Sequence, residues 1–302
     1  MTDRLDGWLV LDKPVGPGST DMVSAVKRAL RAGGYPKIKV GHGGTLDPLA
    51  GGVLPIALGE ATKLSGRMLD ADKGYDFTIR FGEETDTLDR EGAVVAASEM
   101  RPTAADVAAV LARFTGAIEQ VPPVYSALKV GGRRAYDLAR AGEAVKLAAR
   151  AVTIHRLSRC DIVAEEERLE EVTLSADVSK GTYIRSLARD IAYALDTVGH
   201  VTMLRRRKAG PFTLDSAIML DKLAEAAKAR QLEAYVLPLT AGLDDIPALP
   251  VTPDQARSLR QGRKLIGIAA HPGLHIATDG PVPVALVEID GPELRVVRGF
   301  NL

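Results

Sequence analysis

The stretch Val40-Gly41-His42-Gly43-Gly44-Thr45-Leu46-Asp47-Pro48-Leu49-Ala50-Gly51-Gly52-Val53-Leu54-Pro55 decides how this chain is read. A single carboxylate, Asp47, lies between two glycine pairs and directly before a proline. Glycine admits backbone geometry with φ > 0 and lets a ligand come close to the main chain. Pro48 biases Asp47 away from the helical region, towards extended geometry. The pattern predicts a loop with a pre-set backbone that presents a carboxylate beside space no side chain fills. An ordinary turn aspartate in a hairpin loop has the same composition. Spacing alone therefore leaves both a turn role and a catalytic role open.

Working outward, the chain reads as mixed α and β. Trp8-Leu9-Val10-Leu11 is a short apolar strand ending at Asp12-Lys13-Pro14. Ser19 or Thr20 is placed to cap a helix in which Val23, Val26 and Leu30 share a face, with Lys27, Arg28 and Arg31 off it. Tyr75 to Phe81 and Val172 to Val178 alternate, the mark of half-buried strands. Thr103-Ala104-Ala105-Asp106 has capping-box form, with Val107, Val110, Leu111 and Phe114 following at helical spacing. Turn formers crowd Ala241 to Pro250 and suggest a domain boundary. Beyond them, Val284 to Ile289 and Leu294 to Phe300 flank Asp290-Gly291, a hairpin signal.

At 302 residues, one large domain plus a small one is expected. Hydrophobic residues at 46% and charged residues at 26% are globular values. The 39 basic and 39 acidic residues cancel, so any nucleic-acid contact needs a local basic face. Cys160 is the only cysteine, which excludes a disulfide framework and a cysteine zinc cluster. The polar start, Met1 to Asp6, is unlike a signal peptide, and no apolar run is long enough to span a membrane. A cytoplasmic protein is the expectation.

Gly41 to Ala50, followed by Gly52-Val53-Leu54-Pro55-Ile56 and Gly59-Glu60-Ala61-Thr62-Lys63, closely resembles the signature loop of the bacterial TruB family of tRNA pseudouridine synthases, which act on the T arm. The resemblance implies an α+β fold. A catalytic domain with a mixed or antiparallel sheet would span residues 1–245, and a small β-rich, PUA-like RNA-binding domain residues 246–302. It implies isomerisation of uridine-55 in the tRNA T loop, with Asp47 as catalytic nucleophile. The reaction is redox-neutral and the carboxylate is the nucleophile, so no cofactor or metal is demanded. No obligatory protein partner is implied.

The same resemblance assigns further residues, each with a plainer alternative. Tyr75, in phase with Phe77, Ile79 and Phe81, reads as a core aromatic; the family places its base-stacking tyrosine there. In Gly181-Thr182-Tyr183-Ile184-Arg185, Thr182 has the look of an N-cap, with Ile184, Leu187, Ala188, Ile191 and Leu195 as the buried stripe. Arg185 then falls in the first turn and off that stripe. A cation is disfavoured at a positive helix end, which points to a carboxylate partner. The family pairs this arginine with its catalytic aspartate and sets Tyr183 against the substrate. His42, otherwise a surface-loop residue, is implied to support the flipped-out RNA. Leu204 is implied to wall the base pocket. The run Arg205-Arg206-Arg207-Lys208 is a solvated face or a phosphate strip. Prolines, glycines and basic residues from 121 to about 150 suggest a protruding arm, which the family uses to grip the T loop. Lys129, Arg133 and Arg134 on the arm, with Arg205 and Arg206, are the candidate RNA-backbone contacts.

The segment Leu11-Asp12-Lys13-Pro14-Val15-Gly16 fits the family, but Pro17-Gly18-Ser19-Thr20 departs from its usual continuation, which puts that local turn in question. Competing motifs are absent. Leu46 stands where a dinucleotide fingerprint needs a third glycine, and there is no phosphate-binding GxxxxGK[ST] and no G-x-S-x-G elbow. The five histidines form no H-E-x-x-H pattern, and His271 and His275, split by Pro272-Gly273, read as loop residues. Two other classes stay open at this point. One is a non-catalytic RNA-binding or RNA-folding protein that uses the arm and the C-terminal module, and a tRNA-folding role could also accompany catalysis. The other is a glycosidase-like hydrolase pairing Asp47 with Glu60 or Asp72.

Overall fold

The computed structural model describes residues 5–160 and 164–302. A ten-stranded sheet forms its backbone. Its main path runs Val236–Pro238, Gly7–Lys13, Ala50–Leu58, Gly199–Ala209, Lys73–Phe81, Glu171–Val178, Arg150–Arg159, Gly116–Gln120. Every pairing along that path is antiparallel except one. Ala50–Leu58 runs parallel to Gly199–Ala209, with Ala50 opposite Leu204 and Gly52 opposite Arg206. That parallel junction lies where the Asp47 loop enters the sheet.

The expected strands form. Trp8 to Leu11 lies within Gly7–Lys13, and the alternating runs become Lys73–Phe81 and Glu171–Val178. Phe77, Ile79 and Phe81 are buried on one face because successive side chains point to opposite sides of a strand. The first helix spans Ser19–Ala32 and buries Met22, Val26 and Leu30. Its N-cap is Gly18, not Ser19 or Thr20. Thr103 caps the helix Ala104–Leu111 with a full capping box: its side chain accepts from the Asp106 N–H, and the Asp106 carboxylate accepts from the Thr103 N–H.

Gly52 shows why the second glycine pair is needed. Its φ is +100°, and a Cβ there would sit 2.2 Å from the Arg206 carbonyl oxygen on the parallel strand. Neither the dihedral nor the gap between strands admits a side chain.

A second sheet of five strands starts at Ala248 and has the order Ala248–Pro250, Gly273–Asp279, Val282–Asp290, Glu293–Gly299, Leu265–Ile266. Its hairpin turns at Asp290-Gly291, with Gly291 at φ +57°. His275 is a correction to the loop reading: it lies in the strand Gly273–Asp279, 5% exposed, with Nδ1 on the Gly273 carbonyl. This sheet seats on the large one through a shared apolar cluster in which Ile276, Leu286 and Phe300 meet Trp8, Phe212 and Leu239. Lys63 Nζ donates to the Gly299 carbonyl and the Asn301 N–H donates to Glu60, which ties the two sheets together.

Candidate active site

The Asp47 loop is held almost entirely through its backbone. The Leu46 N–H donates to Ser19 Oγ at 2.7 Å, and the Ser19 hydroxyl donates back to the Leu46 carbonyl at 3.1 Å. Gly16 N–H donates to the Pro48 carbonyl, and Ala50 N–H to the Asp47 carbonyl. From beneath, the Arg206 guanidinium donates to the carbonyls of Val53, Thr45 and Gly44 at 2.8, 3.2 and 3.3 Å. Lys13 Nζ donates to Pro17 and Pro14 and reaches the Pro48 carbonyl at 3.5 Å. The sequence departure at Pro17 to Thr20 thus ends in a functional clamp, since Ser19 fixes Leu46 beside Asp47.

Asp47 faces a pocket of about 270 Å³. Tyr75, Leu204, Tyr183, Val178 and Lys73 line it, together with Arg185. Arg185 Nη2 lies 2.8 Å from Asp47 Oδ2. The arginine is 6% exposed, so the expectation that it lies off the buried stripe is corrected: the helix Ile184–Ala194 buries it. That helix starts after Tyr183, which is the N-cap; the Thr182 hydroxyl instead donates to Ser179.

A buried guanidinium must find partners for its donors. Nη1 donates to the Thr87 carbonyl at 2.9 Å and to Asp89 Oδ2 at 3.2 Å, while Nη2 also donates to the Tyr125 carbonyl at 3.0 Å. Asp89 is 2% exposed, and its other oxygen accepts from the Thr87 hydroxyl and the Glu91 N–H. Between Thr87 and Asp89, Leu88 takes φ +62°, which is unusual for a non-glycine residue. Asp89 was missed from sequence, and Tyr125 ties the root of the arm to the same arginine.

The aromatic walls are also positioned. Tyr183 N–H donates to Gln120 Oε1 at 2.8 Å, and the Arg150 guanidinium stands 5.3 Å from the Tyr183 ring centre. Tyr75 is half-buried against the main core. Leu204 is 6% exposed. Burial pushes Lys13 and Lys73 down to about 8; the positive Arg206 adds to this in both, and Asp47 opposes it at Lys13.

Residues 27–184 match the model of the TruB family pseudouridylate synthase N-terminal domain, and residues 185–244 match that of the tRNA pseudouridylate synthase B C-terminal domain. The chain belongs to the TruB family. It is 63% identical to tRNA pseudouridine synthase B of Novosphingobium aromaticivorans, over 99% of this chain and 98% of that protein. It is 60% identical to tRNA pseudouridine synthase B of Zymomonas mobilis, over 99% of this chain and 97% of that protein. Among solved structures, a Cbf5-Nop10-Gar1 complex matches with a TM-score of 0.73 at 25% identity, over 98% of this chain and 85% of that one. An H/ACA RNP bound to a substrate RNA containing 2'-deoxyuridine matches with a TM-score of 0.72 at 24% identity, over 98% and 85%. The pseudouridine synthase fold is therefore the fold of this chain, and the protein is a pseudouridine-forming enzyme.

For a TruB-family enzyme, the expected contacts divide. Asp47, Tyr75, Tyr183, Arg185 and Leu204 all meet at one pocket. His42 is outside its lining, half-buried on the strand Val40–His42, where burial and the positive Arg206 lower its pKa. Its Nδ1 has no hydrogen-bond partner among the described residues.

The basic run is the main correction. Arg206 is 1% exposed and its donors are spent on loop carbonyls, so it cannot reach a phosphate. Arg205 makes a two-pronged pair with Asp12, and Arg207 pairs with Asp76 and Asp177. On the arm, Lys129 and Arg134 face each other in a short hairpin and stay exposed. Arg133 pairs with Glu143, and Arg134 and Arg140 stand 5.7 and 5.6 Å from the Tyr136 ring centre.

Proposed function

We propose that this enzyme converts uridine-55 in the T loop of tRNA to pseudouridine, with Asp47 as the nucleophile. The observation that carries the reading is the Asp47–Arg185 pair in the lining of a pocket walled also by Tyr75, Tyr183 and Leu204. The arginine, held in place by Thr87, Asp89 and Tyr125, orients the carboxylate. A uridine cannot react inside a stacked helix, so the base must be turned out. Tyr75 and Tyr183 offer faces for stacking, and Leu204 keeps water from the reacting centre. His42, beside the loop, supports the RNA left behind.

In the reaction the nitrogen–carbon glycosidic bond breaks, the uracil turns, and a carbon–carbon bond to the sugar forms. The proton on that ring carbon is lost and the freed ring nitrogen ends protonated. Atoms and electrons balance within the substrate, so the chemistry calls for a nucleophile and a shaped pocket. The tRNA substrate is supported by the names of the relatives at 60 and 63% identity. Lys129, Arg133 and Arg134 on the arm would grip the T arm. Residues 246–302 would serve as a PUA-like RNA-binding domain, and the cytoplasm, where tRNA matures, is the proposed location. Among the described residues no helix is long and apolar enough to cross a membrane.

The hydrolase alternative loses its second carboxyl. Glu60 pairs with Lys63 and Asp72 pairs with His155, and neither lines the pocket. Incubating the purified protein with an unmodified tRNA transcript and mapping pseudouridine should give product at position 55. In Asp47→Asn the rate should fall by roughly 10³-fold or more, with tRNA affinity within a few-fold of wild type. Product formation at near wild-type rate in that variant would sink the assignment.

A further inference from the structure

We propose that the cleft between the first helix and the segment Tyr35–Ile38 is a second RNA-phosphate site, distinct from the Asp47 pocket and the arm. The proposal rests on RNA being the substrate, as above. Although the chain is neutral overall, its charge is not evenly spread. Residues 19–39 carry Lys27, Arg28, Arg31, Lys37 and Lys39 against Asp21 alone, a local charge of 5 − 1 = +4. All five cations are exposed.

None of the five makes an ion pair among the described residues. Some surface cations elsewhere are paired, such as Arg67 with Asp245, Arg101 with Glu170, Arg156 with Asp177 and Lys180 with Asp70, whereas Lys129 and Arg134 on the arm are, like these five, without an ion pair among the described residues. The neighbouring elements do not relieve the charge. The helix Leu220–Lys228 packs beside the first helix, and just after it Arg230 stacks 4.6 Å from the Tyr35 ring centre. Glu233, which this region brings in, accepts a hydrogen bond from the Tyr35 hydroxyl. The helix dipole accounts for Arg31, in the last turn, but not for the other four.

The cations also surround a space. Lys27, Arg31 and Lys37 rim a cleft of about 500 Å³ with Leu30, Tyr35 and Ile38 beneath. A concave site walled by unpaired cations concentrates anions. Its place relative to the active site favours RNA over other polyanions. Ser19, at the start of the helix, bonds to Leu46 of the catalytic loop. At about 1.5 Å per residue, Lys27 and Arg31 lie roughly 12 and 18 Å along the helix from that clamp. At about 3.4 Å per stacked nucleotide, that is about four to five nucleotides along a strand. On the other side Lys39 leads directly into the strand Val40–His42 and the loop beyond it. A strand with one nucleotide in the Asp47 pocket therefore has phosphates within reach of the cleft.

The test is a triple variant, Lys27→Gln, Arg31→Gln, Lys37→Gln, none of whose positions touches the pocket. Its tRNA dissociation constant should rise by roughly tenfold at moderate salt, and the slope of log affinity against log salt should flatten by up to about 2 to 3 units. Turnover on saturating tRNA should stay within about twofold of wild type. A charge-keeping variant, Lys27→Arg, Arg31→Lys, Lys37→Arg, should bind as wild type, since phosphates here are met as point charges. Unchanged affinity and slope in the glutamine variant would overturn the proposal. So would lost binding to inorganic polyphosphate with tRNA binding intact, which would assign the cleft to another polyanion. Wild-type protein that formed no pseudouridine in tRNA would instead overturn the proposed function, whatever its affinity.

Discussion

Arg185 carries one positive charge between two carboxylates of unequal exposure. The Asp47 side chain is 38% exposed and faces the pocket, whereas the Asp89 side chain is 4% exposed and faces protein. The division of labour follows: Asp89 anchors the guanidinium so that its other edge can present Asp47. Asp89→Asn keeps the shape and removes the anchor's charge. It should lower turnover by about 10- to 100-fold, as for a small misplacement of a reacting group, with tRNA affinity little changed. Arg185→Lys should cost about 100-fold or more, because one ammonium cannot serve two carboxylates and the Thr87 and Tyr125 carbonyls at once. Single-turnover assays on both variants check this, and wild-type rates in either would show that the network does not position Asp47. Asp47 and Arg185 were legible because each sits in a motif. Asp89 was not: Thr85-Asp86-Thr87-Leu88-Asp89 reads as an ordinary acidic turn, and only the positive φ of Leu88 and the folded chain aim it at Arg185.

The strand Gly199–Ala209 shows how an element changes the meaning of its residues. As sequence, Arg205-Arg206-Arg207 is a run of three cations; as a strand, its neighbours point to opposite faces. Arg206 shares the inward face with Leu204, while Arg205 reaches across Ala50–Leu58 to Asp12, and Arg207 meets Asp76 on the neighbouring strand and Asp177 on the strand beyond it. Those acidic partners are far away in sequence, which is why charge counting could not find them. The strand itself was hidden by its basic content, whereas the clean alternation of Lys73–Phe81 gave that element away. For Arg206→Gln, each buried carbonyl left without a donor should cost roughly 1–3 kcal/mol. The urea midpoint should fall and pseudouridine formation should drop as the Asp47 loop loosens. The salt slope of tRNA binding should be unaltered, and a flatter slope would restore Arg206 as a phosphate contact.

At the scale of the whole molecule, the small C-terminal β-unit is legible in the sequence but its seat is not. Turn formers and the Asp290-Gly291 hairpin mark the unit locally, whereas the cluster of Trp8 with Ile276 and Phe300 joins residues from opposite ends of the chain. The closed core has a measurable electrostatic consequence. Lys13 and Lys73 titrate near 8 in the folded protein, against 10.5 when unfolded, because burial penalises their charged form. Below pH 8 both states hold these protons, and the two lysines add no pH dependence. Between pH 8 and 10 the folded state has released protons that the unfolded state still binds, so unfolding takes protons up and stability rises with pH. Each proton contributes a slope of about 1.4 kcal/mol per pH unit. Above pH 10, Tyr193, pushed up to about 12 by burial and by Glu84, acts with the opposite sign. Urea midpoints of wild type and Lys73→Met at pH 7.5 and 9.5 isolate one of the two lysines. Lys73→Met should be less stable overall, since the carbonyls of Leu69 and Ala71 lose their donor. Its stability change from pH 7.5 to 9.5 should be less positive than that of wild type. An identical pH dependence in the two proteins would mean that Lys73 keeps its proton when folded, and that burial at the pocket wall does not neutralise it.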